Sequence, residues 1–275
     1  MEKHGRNPVL FLFGGNWMKV ITRNLGDFKE VEILALADWH NGDPNADGKK
    51  INDYLDYLKN TPNAFAILNG DLMNTAVRSS ISDVYGESAP PMEQLKHCVK
   101  LFEPIADKIL CINPGNHELR VYKTDGLDLT QIMATQLGIG DRYSPTSTLL
   151  FLKVGKWRVH GHHGEPINYS VYCVHGSGSG RTEGAKINRL MQLAAIVDAD
   201  VYIHSHTHLP AIVKTSFHRT SPANCSVQQI DRLFVNTAAA LDWGGYADLA
   251  SFKPACKDTP IITLDGTRRG LKARI

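Results

Sequence analysis

A short apolar run that ends in Asp, Asn or His recurs along this chain, and this recurrence constrains its fold more than any other feature. The five runs are Val31–Ala37, Phe65–Leu68, Lys108–Ile112, Ser170–Val174 and Val201–Ile203. Short runs of this kind, bounded by Gly, Asn and Pro, are typical of buried strands. The polar residues that follow each run should therefore lie at the end of a strand.

Apolar residues at helical spacing separate several of these runs. They predict helices over Lys49–Asn60, Met92–Phe102 and Ala185–Val197. Alternating strands and helices are typical of α/β folds, in which many neighbouring strands are parallel.

The chain also contains more candidate strands than one doubly wound sheet needs. They are Ala211–Thr215, Leu233–Asn236 and Ile261–Leu264, together with a hairpin expected from Thr148–Val154 and Lys156–His160 around Gly155. We therefore expect an α/β fold whose core is a two-sheet β-sandwich flanked by helices. No repeat or low-complexity tract marks a boundary, so residues 1–275 should form a single domain with a motif-bearing core at about residues 31–215.

Composition excludes several classes of protein. The 30 Lys and Arg residues nearly balance the 28 Asp and Glu residues, and 43% of the chain is hydrophobic, as in a globular rather than a disordered protein. The net charge of +2 gives no overall basic field for nucleic acid, although a local basic groove could still form. The apolar stretch Pro8–Phe13 is too short to span a membrane.

The five cysteines are widely spaced and contain no C-x-x-C pair. This pattern favours neither a disulfide framework nor a thiolate zinc site, and it fits a reducing compartment. We therefore expect a cytoplasmic protein with no membrane partner.

Polar residues at the ends of the predicted strands form the candidate site. They are Asp38, His40, Asp71, Asn116, His175, His206 and His208. Each is a weak signal alone, since Asp and Asn are common in turns and a lone His at a strand end is often a packing residue. Ligands in α/β proteins bind at the carboxyl ends of strands, so five polar strand ends in one chain indicate that these side chains converge.

The donor atoms of this set predict metal chemistry. Two carboxylates, one amide oxygen and four imidazoles, with no thiolate, suit manganese, iron, zinc and similar divalent ions. Seven ligands exceed the four of a tetrahedral zinc site, whereas they suit two ions about 3.5–4 Å apart that share a carboxylate. Two divalent ions less two carboxylates leave a formal charge of about +2, which attracts a phosphate group.

Taken together, the motifs resemble those of the calcineurin-like metallophosphoesterases. The segments that carry the resemblance are Asp38-x-His40, Gly70-Asp71-x-x-Asn74, Gly115-Asn116-His117-Glu118, His175 and His206-x-His208. The resemblance implies a four-layer α/β/β/α fold with a dinuclear metal site at the strand ends. It also implies hydrolysis of a phosphoric ester by attack of a metal-bridging hydroxide.

The resemblance further implies a role for each residue, with three ligands for each ion and one shared ligand. Asp38, His40 and His208 would hold the first ion, Asn116, His175 and His206 would hold the second, and Asp71 would bridge them. His117 is similar to the family's catalytic histidine, which contacts the phosphate and assists the leaving group.

His117 also has a rationale from its chemistry alone. An unliganded imidazole beside the ions can donate a proton to a departing alkoxide, because its ordinary pKa is about 6.5. The alternative is that His117 only hydrogen-bonds to a metal ligand.

Two departures from the family pattern narrow the expected function. The family's protein Ser/Thr phosphatases carry Asp-Arg after the second motif, where this chain has Asn74 and Thr75. A neutral amide would orient His117 less strongly, and an arginine that grips phosphate is missing, so we expect phosphodiesterase-like rather than protein phosphatase activity. Ser205 also stands where glycine is usual before the last two histidines, and there we expect only a local backbone adjustment.

Other histidines leave alternatives open. His160, His162 and His163 form a cluster that could compete with His175 as a ligand. We favour His175 because it ends a strong apolar run. His204 lies deeper along its strand and is expected to be a hydrogen-bonded core residue.

We therefore interpret the chain as a metal-dependent phosphoesterase that hydrolyses a phosphodiester, with a nucleic acid or a nucleotide among the candidate substrates. Two divalent ions are the expected cofactor, manganese first, with iron, zinc or nickel as alternatives. Asn74 and Arg181 are the predicted substrate contacts, although Arg181 follows a glycine- and serine-rich run that could be a plain loop. The alternatives are a phosphomonoesterase of the same family and, in another class, a non-catalytic metal-binding scaffold.

Overall fold

Two β-sheets and six helices make up the part of the chain that the computed structural model describes, residues 18–78, 80, 84–157, 164–178 and 180–275. The strands are β1 (Lys19–Leu25), β2 (Glu30–Leu36), β3 (Ala64–Asn69), β4 (Ile109–Asn113), β5 (Ser147–Trp157), β6 (Glu165–Val174), β7 (Val201–His204), β8 (Ala211–Ser221), β9 (Ser226–Asn236), β10 (Ile261–Asp265) and β11 (Leu271–Arg274). The helices are α1 (Gly48–Asn60), α2 (Pro91–Phe102), α3 (Asn116–Asp125), α4 (Leu129–Gln136), α5 (Glu183–Met191) and α6 (Tyr246–Leu249).

Both sheets mix parallel and antiparallel pairs. One has six strands in the order β1-β5-β6-β7-β9-β8, and the other has five in the order β11-β10-β2-β3-β4. The strands β2, β3 and β4 are parallel to one another, as are β6, β7 and β9. The predicted two-sheet core with many parallel pairings is therefore confirmed.

Apolar side chains fill the space between the sheets. Ile33 and Ile67 of the five-stranded sheet belong to the same fully buried cluster as Val171 and Ile203 of the six-stranded sheet. The strands β2 and β3 are apolar on both faces because one face meets the other sheet and the opposite face meets helices.

Helices cover the two outer faces. On the five-stranded sheet, Leu55 of α1 and Phe102 of α2 pack in one cluster with Leu34. On the six-stranded sheet, Leu190 of α5 packs in a cluster with Phe234. The layers run helix, sheet, sheet, helix, which confirms the four-layer architecture.

Two of the three predicted helices begin within one residue of the expected position. Asp47 caps α1 by accepting a hydrogen bond from the backbone nitrogen of Lys50 at 3.0 Å, and Pro91 opens α2, where a missing N–H is tolerated. The third prediction is wrong at its end, because α5 stops at Met191 and the chain continues as a 3₁₀ turn, Gln192–Ala195. Among the described helices, none combines the length and the apolarity that crossing a membrane requires.

The hairpin predicted around Gly155 is wrong. The strand β5 runs unbroken from Ser147 to Trp157 and is antiparallel to β6, so the chain does not reverse at Gly155. Residues 158–160 of the predicted hairpin lie outside the described residues. Gly155 has a φ of 68°, and a Cβ atom there would overlap the carbonyl oxygen of Gly266. Glycine is required at this irregularity in the β5–β6 register by a close approach of two backbones rather than by a turn.

Candidate metal centre

The carboxyl ends of strands from both sheets meet at one edge of the sandwich. Asp38 and His40 follow β2, Asp71 follows β3, Asn116 follows β4, His175 follows β6, and His206 and His208 follow β7. The structure brings all seven of these predicted ligands into one cluster.

Asp38, His40 and His208 form the first group, in which one ligand atom of each residue lies within 4.8 Å of the others. The Nε2 atom of His208 lies 3.3 Å from Oδ1 of Asp38 and 3.3 Å from Nε2 of His40. Ligand atoms that all lie about 2.1 Å from one ion are about 3.0–3.4 Å from each other. These separations therefore match the edges of a single coordination shell.

Asp71, His175 and His206 form the second group, within the same 4.8 Å limit. The Nε2 atom of His175 lies 3.1 Å from Oδ2 of Asp71 and 3.2 Å from Oδ1 of Asn116. The ring centroids of His175 and His206 are 5.3 Å apart. Asn116 thus joins this group through its amide oxygen.

Asp71 links the two groups. It also forms a group with His40, a member of the first set, and with His117. Its Oδ1 atom accepts a hydrogen bond from the backbone nitrogen of His117 at 2.8 Å, which fixes the orientation of the carboxylate. A carboxylate with candidate ligands on both sides is placed to bridge two ions.

Backbone hydrogen bonds hold these strand ends together. The nitrogen of Asp38 donates to the oxygen of Gly70, and the nitrogen of His40 donates to the oxygen of Asp71, each at 3.0 Å. The backbone nitrogen of His206, from the other sheet, donates to Oδ2 of Asp38 at 3.0 Å. Asp38 therefore ties the two sheets to each other at the cluster.

Strained backbone is concentrated at the cluster. Five of the predicted ligands have a positive φ: Asp38 at 54°, His40 at 46°, Asp71 at 50°, His206 at 65° and His208 at 53°. Only a few per cent of non-glycine residues adopt this conformation, and each costs about 1–2 kcal/mol. Within the described ranges only three other non-glycine residues share it, so the strain supports this edge as the candidate functional site.

Main-chain oxygens orient two of the imidazoles. The Nδ1 atom of His175 donates to the oxygen of Asn69 at 2.8 Å, and Nδ1 of His117 donates to the oxygen of Asn74 at 2.9 Å. Each contact places a ring proton on Nδ1 and directs Nε2 at the cluster, where it can bind an ion once it carries no proton of its own.

Two glycines allow the strand ends to approach this closely. A Cβ atom on Gly115 would overlap the carboxylate of Asp71, and one on Gly70 would overlap the backbone of Gly115. Gly70 also has a φ of 87°, which disfavours a side chain at that position.

Glu118 is a site residue whose role sequence reasoning missed. Its buried carboxylate accepts hydrogen bonds from the backbone nitrogens of Asp71 at 3.0 Å, Met73 at 2.9 Å and Gly115 at 2.8 Å. Burial and the charge of Asp71 raise the pKa of Glu118 to about 7. The signal that could have revealed this role is the glutamate three residues after the helix cap at Gly115, the spacing of a capping box.

Charges within the cluster determine its protonation when no metal is bound. Burial lowers the pKa of His40 well below its ordinary value. Burial would also lower the pKa of His175, but the charge of Asp71 outweighs it and raises that pKa to about 10. Burial would raise the pKa of Asp71, but His175 holds the pKa well below its usual range. In the metal-free protein, a proton on His175 therefore supplies the positive charge that Asp71 requires.

The cluster fits divalent cations. Oδ1 of Asp38 is buried and has no well-aligned hydrogen-bond donor in the described part of the chain, which is costly for a carboxylate unless a cation pairs with it. The Nε2 atoms of His40 and His208 face each other at 3.3 Å, so a shared cation would satisfy both lone pairs. Carboxylate, imidazole and amide donors together suit manganese, iron or zinc.

Asn74 takes a different position from the one expected. The sequence predicts that its side-chain amide orients His117, but the main-chain oxygen does so, and the amide nitrogen donates to Oε1 of Glu87 at 2.6 Å. The reason is that the loop after β3 turns its carbonyl toward α3 while its side chain is buried at 4% exposure. A substrate contact through the Asn74 side chain would require this amide to leave Glu87.

Two of the remaining predicted residues, Arg181 and His204, are described by the structure, and three histidines are not. The guanidinium of Arg181 lies 5.4 Å from the ring centroid of Phe252. His204 is buried and its Nδ1 atom is 2.9 Å from Oδ1 of Asn236, which confirms the predicted core role. The competing ligand set His160, His162 and His163 lies outside the described residues.

Comparison with known proteins bears on this site. A model of the calcineurin-like phosphoesterase family matches residues 31–210, which include every predicted ligand and His117. No curated protein sequence matches the chain.

Several solved structures are similar to the chain. Vacuolar protein sorting 29 from Cryptosporidium parvum is 11% identical, with a TM-score of 0.42 over 89% of this chain and 97% of that one. Vps29 complexed with Zn²⁺ from Entamoeba histolytica is 10% identical, with a TM-score of 0.39 over 89% and 97%. A metallophosphoesterase from Sphaerobacter thermophilus is 15% identical, with a TM-score of 0.39 over 85% and 83%. The family model matches more than half of the length of this chain, and the chain therefore belongs to the calcineurin-like phosphoesterase family.

Proposed function

We propose that the chain is a dinuclear metal-dependent phosphodiesterase whose substrate is a nucleotide or a nucleic acid. The observation that carries this proposal is the convergence of seven proposed metal ligands, with Asp71 at the centre of the other six. Family membership supports the hydrolysis of phosphoric esters. We also propose that residues 1–275 act as one domain in the cytoplasm, because neither composition nor cysteine spacing points elsewhere.

In this proposal each ion has three ligands of its own. Asp38, His40 and His208 hold the first, Asn116, His175 and His206 hold the second, and Asp71 is shared. The expected metal is manganese, with iron, zinc or nickel as alternatives. Two such divalent ions, when bound, would neutralise phosphate charge and activate water near neutral pH.

His117 is the proposed proton donor to the leaving alkoxide. Its Nε2 atom lies 3.8 Å from Oδ2 of Asp71, and its ring centroid is 4.3 Å from that of His40. Burial lowers the pKa of His117, so the free imidazole is neutral at pH 7. An anionic substrate stabilises the protonated form, and we infer that Nε2 takes up its proton as the substrate binds.

The surroundings of Thr75 support a diester over a monoester. Thr75 stands where protein phosphatases carry an arginine, and it is fully buried. Its Oγ1 atom donates to the main-chain oxygen of His117 at 2.7 Å, so it supports α3 and adds no positive charge. A diester carries one negative charge where a monoester carries up to two, and it therefore needs fewer cations.

Metal reconstitution followed by an ester comparison tests the function. The chain, stripped of metal and reloaded with manganese, should contain two ions by elemental analysis. It should hydrolyse bis(p-nitrophenyl) phosphate faster than p-nitrophenyl phosphate. Faster turnover of the monoester would favour the phosphomonoesterase. Cleavage of single-stranded or supercoiled DNA would support a nucleic acid substrate, and hydrolysis of small diesters alone would support a nucleotide.

Arg181 remains a proposed substrate contact. Its position beside Phe252 leaves the guanidinium exposed at the surface. Unchanged KM and kcat in Arg181→Ala would remove it from the proposed site.

A non-catalytic metal-binding scaffold is the competing class of function. The complete ligand set together with His117 supports an enzyme. If the fully metal-loaded chain hydrolysed neither small ester nor DNA, a scaffold role would replace the enzymatic one.

A further inference from the structure

Helix α3 carries an arginine one turn beyond His117. Arg120 follows His117 by three residues, and residues three apart lie on the same side of a helix. The charges of Asp71 and Glu118 act on Arg120, and the charge of Arg120 acts on His117. The guanidinium therefore lies within electrostatic reach of the proposed metal centre.

Arg120 is half-buried, and within the described residues it forms no ion pair. The nearby carboxylate of Glu87 is engaged elsewhere, because its two oxygens accept hydrogen bonds from the side-chain amides of Asn74 and Gln94. The carboxylate of Glu118 is likewise occupied by three backbone nitrogens.

Half-burial beside a metal centre is costly for a cation that has no ion pair among the described residues. Burial lowers the pKa of Arg120 below its ordinary value, although the group still carries its charge at neutral pH. Bound divalent ions add repulsion to that cost. An anion bound between the guanidinium and the metal centre would offset both effects.

One hydrogen bond positions the guanidinium. The Nη1 atom of Arg120 donates to Oγ of Ser80 at 2.7 Å, and this is the single side-chain hydrogen bond that Arg120 makes among the described residues. A guanidinium has five N–H donors, and the described residues engage one of them.

We propose that Arg120 binds a non-bridging oxygen of the substrate's phosphoryl group. This inference rests on the proposed function and deepens it. Arg120 would supply from α3 the phosphate contact that Thr75 cannot make, because Thr75 is buried beneath that helix.

Binding of inorganic phosphate to the manganese-loaded chain, measured by isothermal titration calorimetry, tests this assignment without turnover. In Arg120→Gln the Kd for phosphate should rise about 10- to 100-fold, the range expected when a charge-assisted hydrogen bond is lost. In Arg120→Lys it should rise about threefold to tenfold, because an ammonium keeps the charge but cannot form the planar fork.

Arg268→Gln is the matched control, since it removes the same charge from a side chain that is 80% exposed. Arg268 lies just beyond Asp265, which pairs with Glu30 at the end of β2 that is remote from the metal centre. Its Kd for phosphate should equal that of the wild type. Metal content is measured for every variant, so that loss of an ion is separated from loss of a phosphate contact.

Steady-state kinetics with the aryl diester give a second readout. Arg120→Gln should lower kcat/KM by about 10- to 100-fold while it retains both ions. If the role of Arg120 were purely structural, the variant would instead lose metal, and each site that still held metal would bind phosphate with unchanged affinity.

Ser80→Ala keeps the assignment testable if Arg120→Gln does not fold. It preserves the charge and removes the hydrogen bond that positions it, so phosphate should bind about twofold to fivefold more weakly. The assignment is overturned if metal-loaded Arg120→Gln binds phosphate with a Kd within twofold of wild type. It is also overturned if both Arg120→Lys and Ser80→Ala do so. A chain that binds phosphate through Arg120 but hydrolyses no ester contradicts the proposed function and leaves this contact standing.

Discussion

The Nδ1 atom of His175 lies 2.8 Å from the main-chain oxygen of Asn69, and this contact joins the two sheets at the metal centre. Asn69 is the last residue of β3 in the five-stranded sheet, whereas His175 follows β6 of the six-stranded sheet. The contact holds the ring proton on Nδ1 and directs Nε2 toward Asp71. One hydrogen bond therefore ties the sheets together and orients a proposed ligand.

Replacing His175 should remove one ion and leave the other. In His175→Ala we expect metal content to fall from two ions to one, because Asp38, His40 and His208 are untouched, and kcat to fall by about 100-fold or more. Elemental analysis after gel filtration measures the content. His218→Ala, on the exposed part of β8, is the control and should keep both ions. Two ions in His175→Ala would contradict its proposed role.

Asp71 and His117 should differ in what their loss removes. Asp71→Asn weakens the shared ligand, so we expect loss of both metal and turnover. His117→Ala leaves every proposed ligand in place, so we expect full metal content with kcat reduced about 10²- to 10⁴-fold, the contribution typical of a proton donor. Metal content and kcat measured on the same samples separate the two roles. Equal loss of metal in both variants would show that His117 acts as part of the ligand framework.

Metal uptake should release protons. His175 in the metal-free protein has a pKa raised from 6.5 to about 10 by Asp71, so a proton must leave before Nε2 can bind an ion. We expect metal affinity to rise with pH from neutrality toward 10, and calorimetry in buffers of different ionisation enthalpy should detect about one released proton. Binding without proton release would contradict this protonation state.

The same pKa shift fixes the sign of a stability effect in the metal-free protein. Because the folded pKa of His175 lies above its ordinary value and that of Asp71 lies below 3.8, the His175–Asp71 pair contributes its full stability between pH 3.8 and pH 6.5. It loses this contribution as pH rises through about 10. Chemical denaturation across this range should show that decline. Asp71→Asn should flatten it.

A methyl group on Gly115 should disrupt the centre without changing its chemistry. Gly115→Ala would place Cβ against the carboxylate of Asp71, and we expect a loss of about 1–3 kcal/mol in the free energy of unfolding together with weaker metal binding. Gly184→Ala in α5 is the control, because nothing lies near a Cβ at that position. It should be neutral or stabilising by up to about 1 kcal/mol. Unaltered stability and metal affinity in Gly115→Ala would show that the close approach is not required.

The sequence allowed prediction of the two-sheet fold and of the convergence of the proposed ligands, because both depend on the same pattern. An apolar run followed at once by Asp, Asn or His identifies a buried strand and its functional end together, as β3 and Asp71 illustrate. The strand β1 was not predicted, because it is an edge strand whose two buried residues, Ile21 and Leu25, are separated by three polar residues. The prediction of a hairpin at Gly155 is wrong because a glycine that a close backbone contact requires cannot be told, in the sequence, from a glycine in a turn.

Contacts made by the main chain could not be predicted. The orientation of His117 depends on the carbonyl of Asn74, and that of His175 depends on the carbonyl of Asn69. Every residue has a carbonyl, so no residue type signals which one accepts these protons. The contribution of Glu118 is similar, since its three acceptor contacts depend on how the loops after β3 and β4 fold together.

Anomalous diffraction from crystals of the manganese-loaded chain is the most direct measurement of the central claim. We expect two peaks in contact with the Asp71 carboxylate, one also bounded by Asp38, His40 and His208 and the other by Asn116, His175 and His206. A single peak, or a pair of peaks with Asp71 bound to neither, would contradict the dinuclear centre.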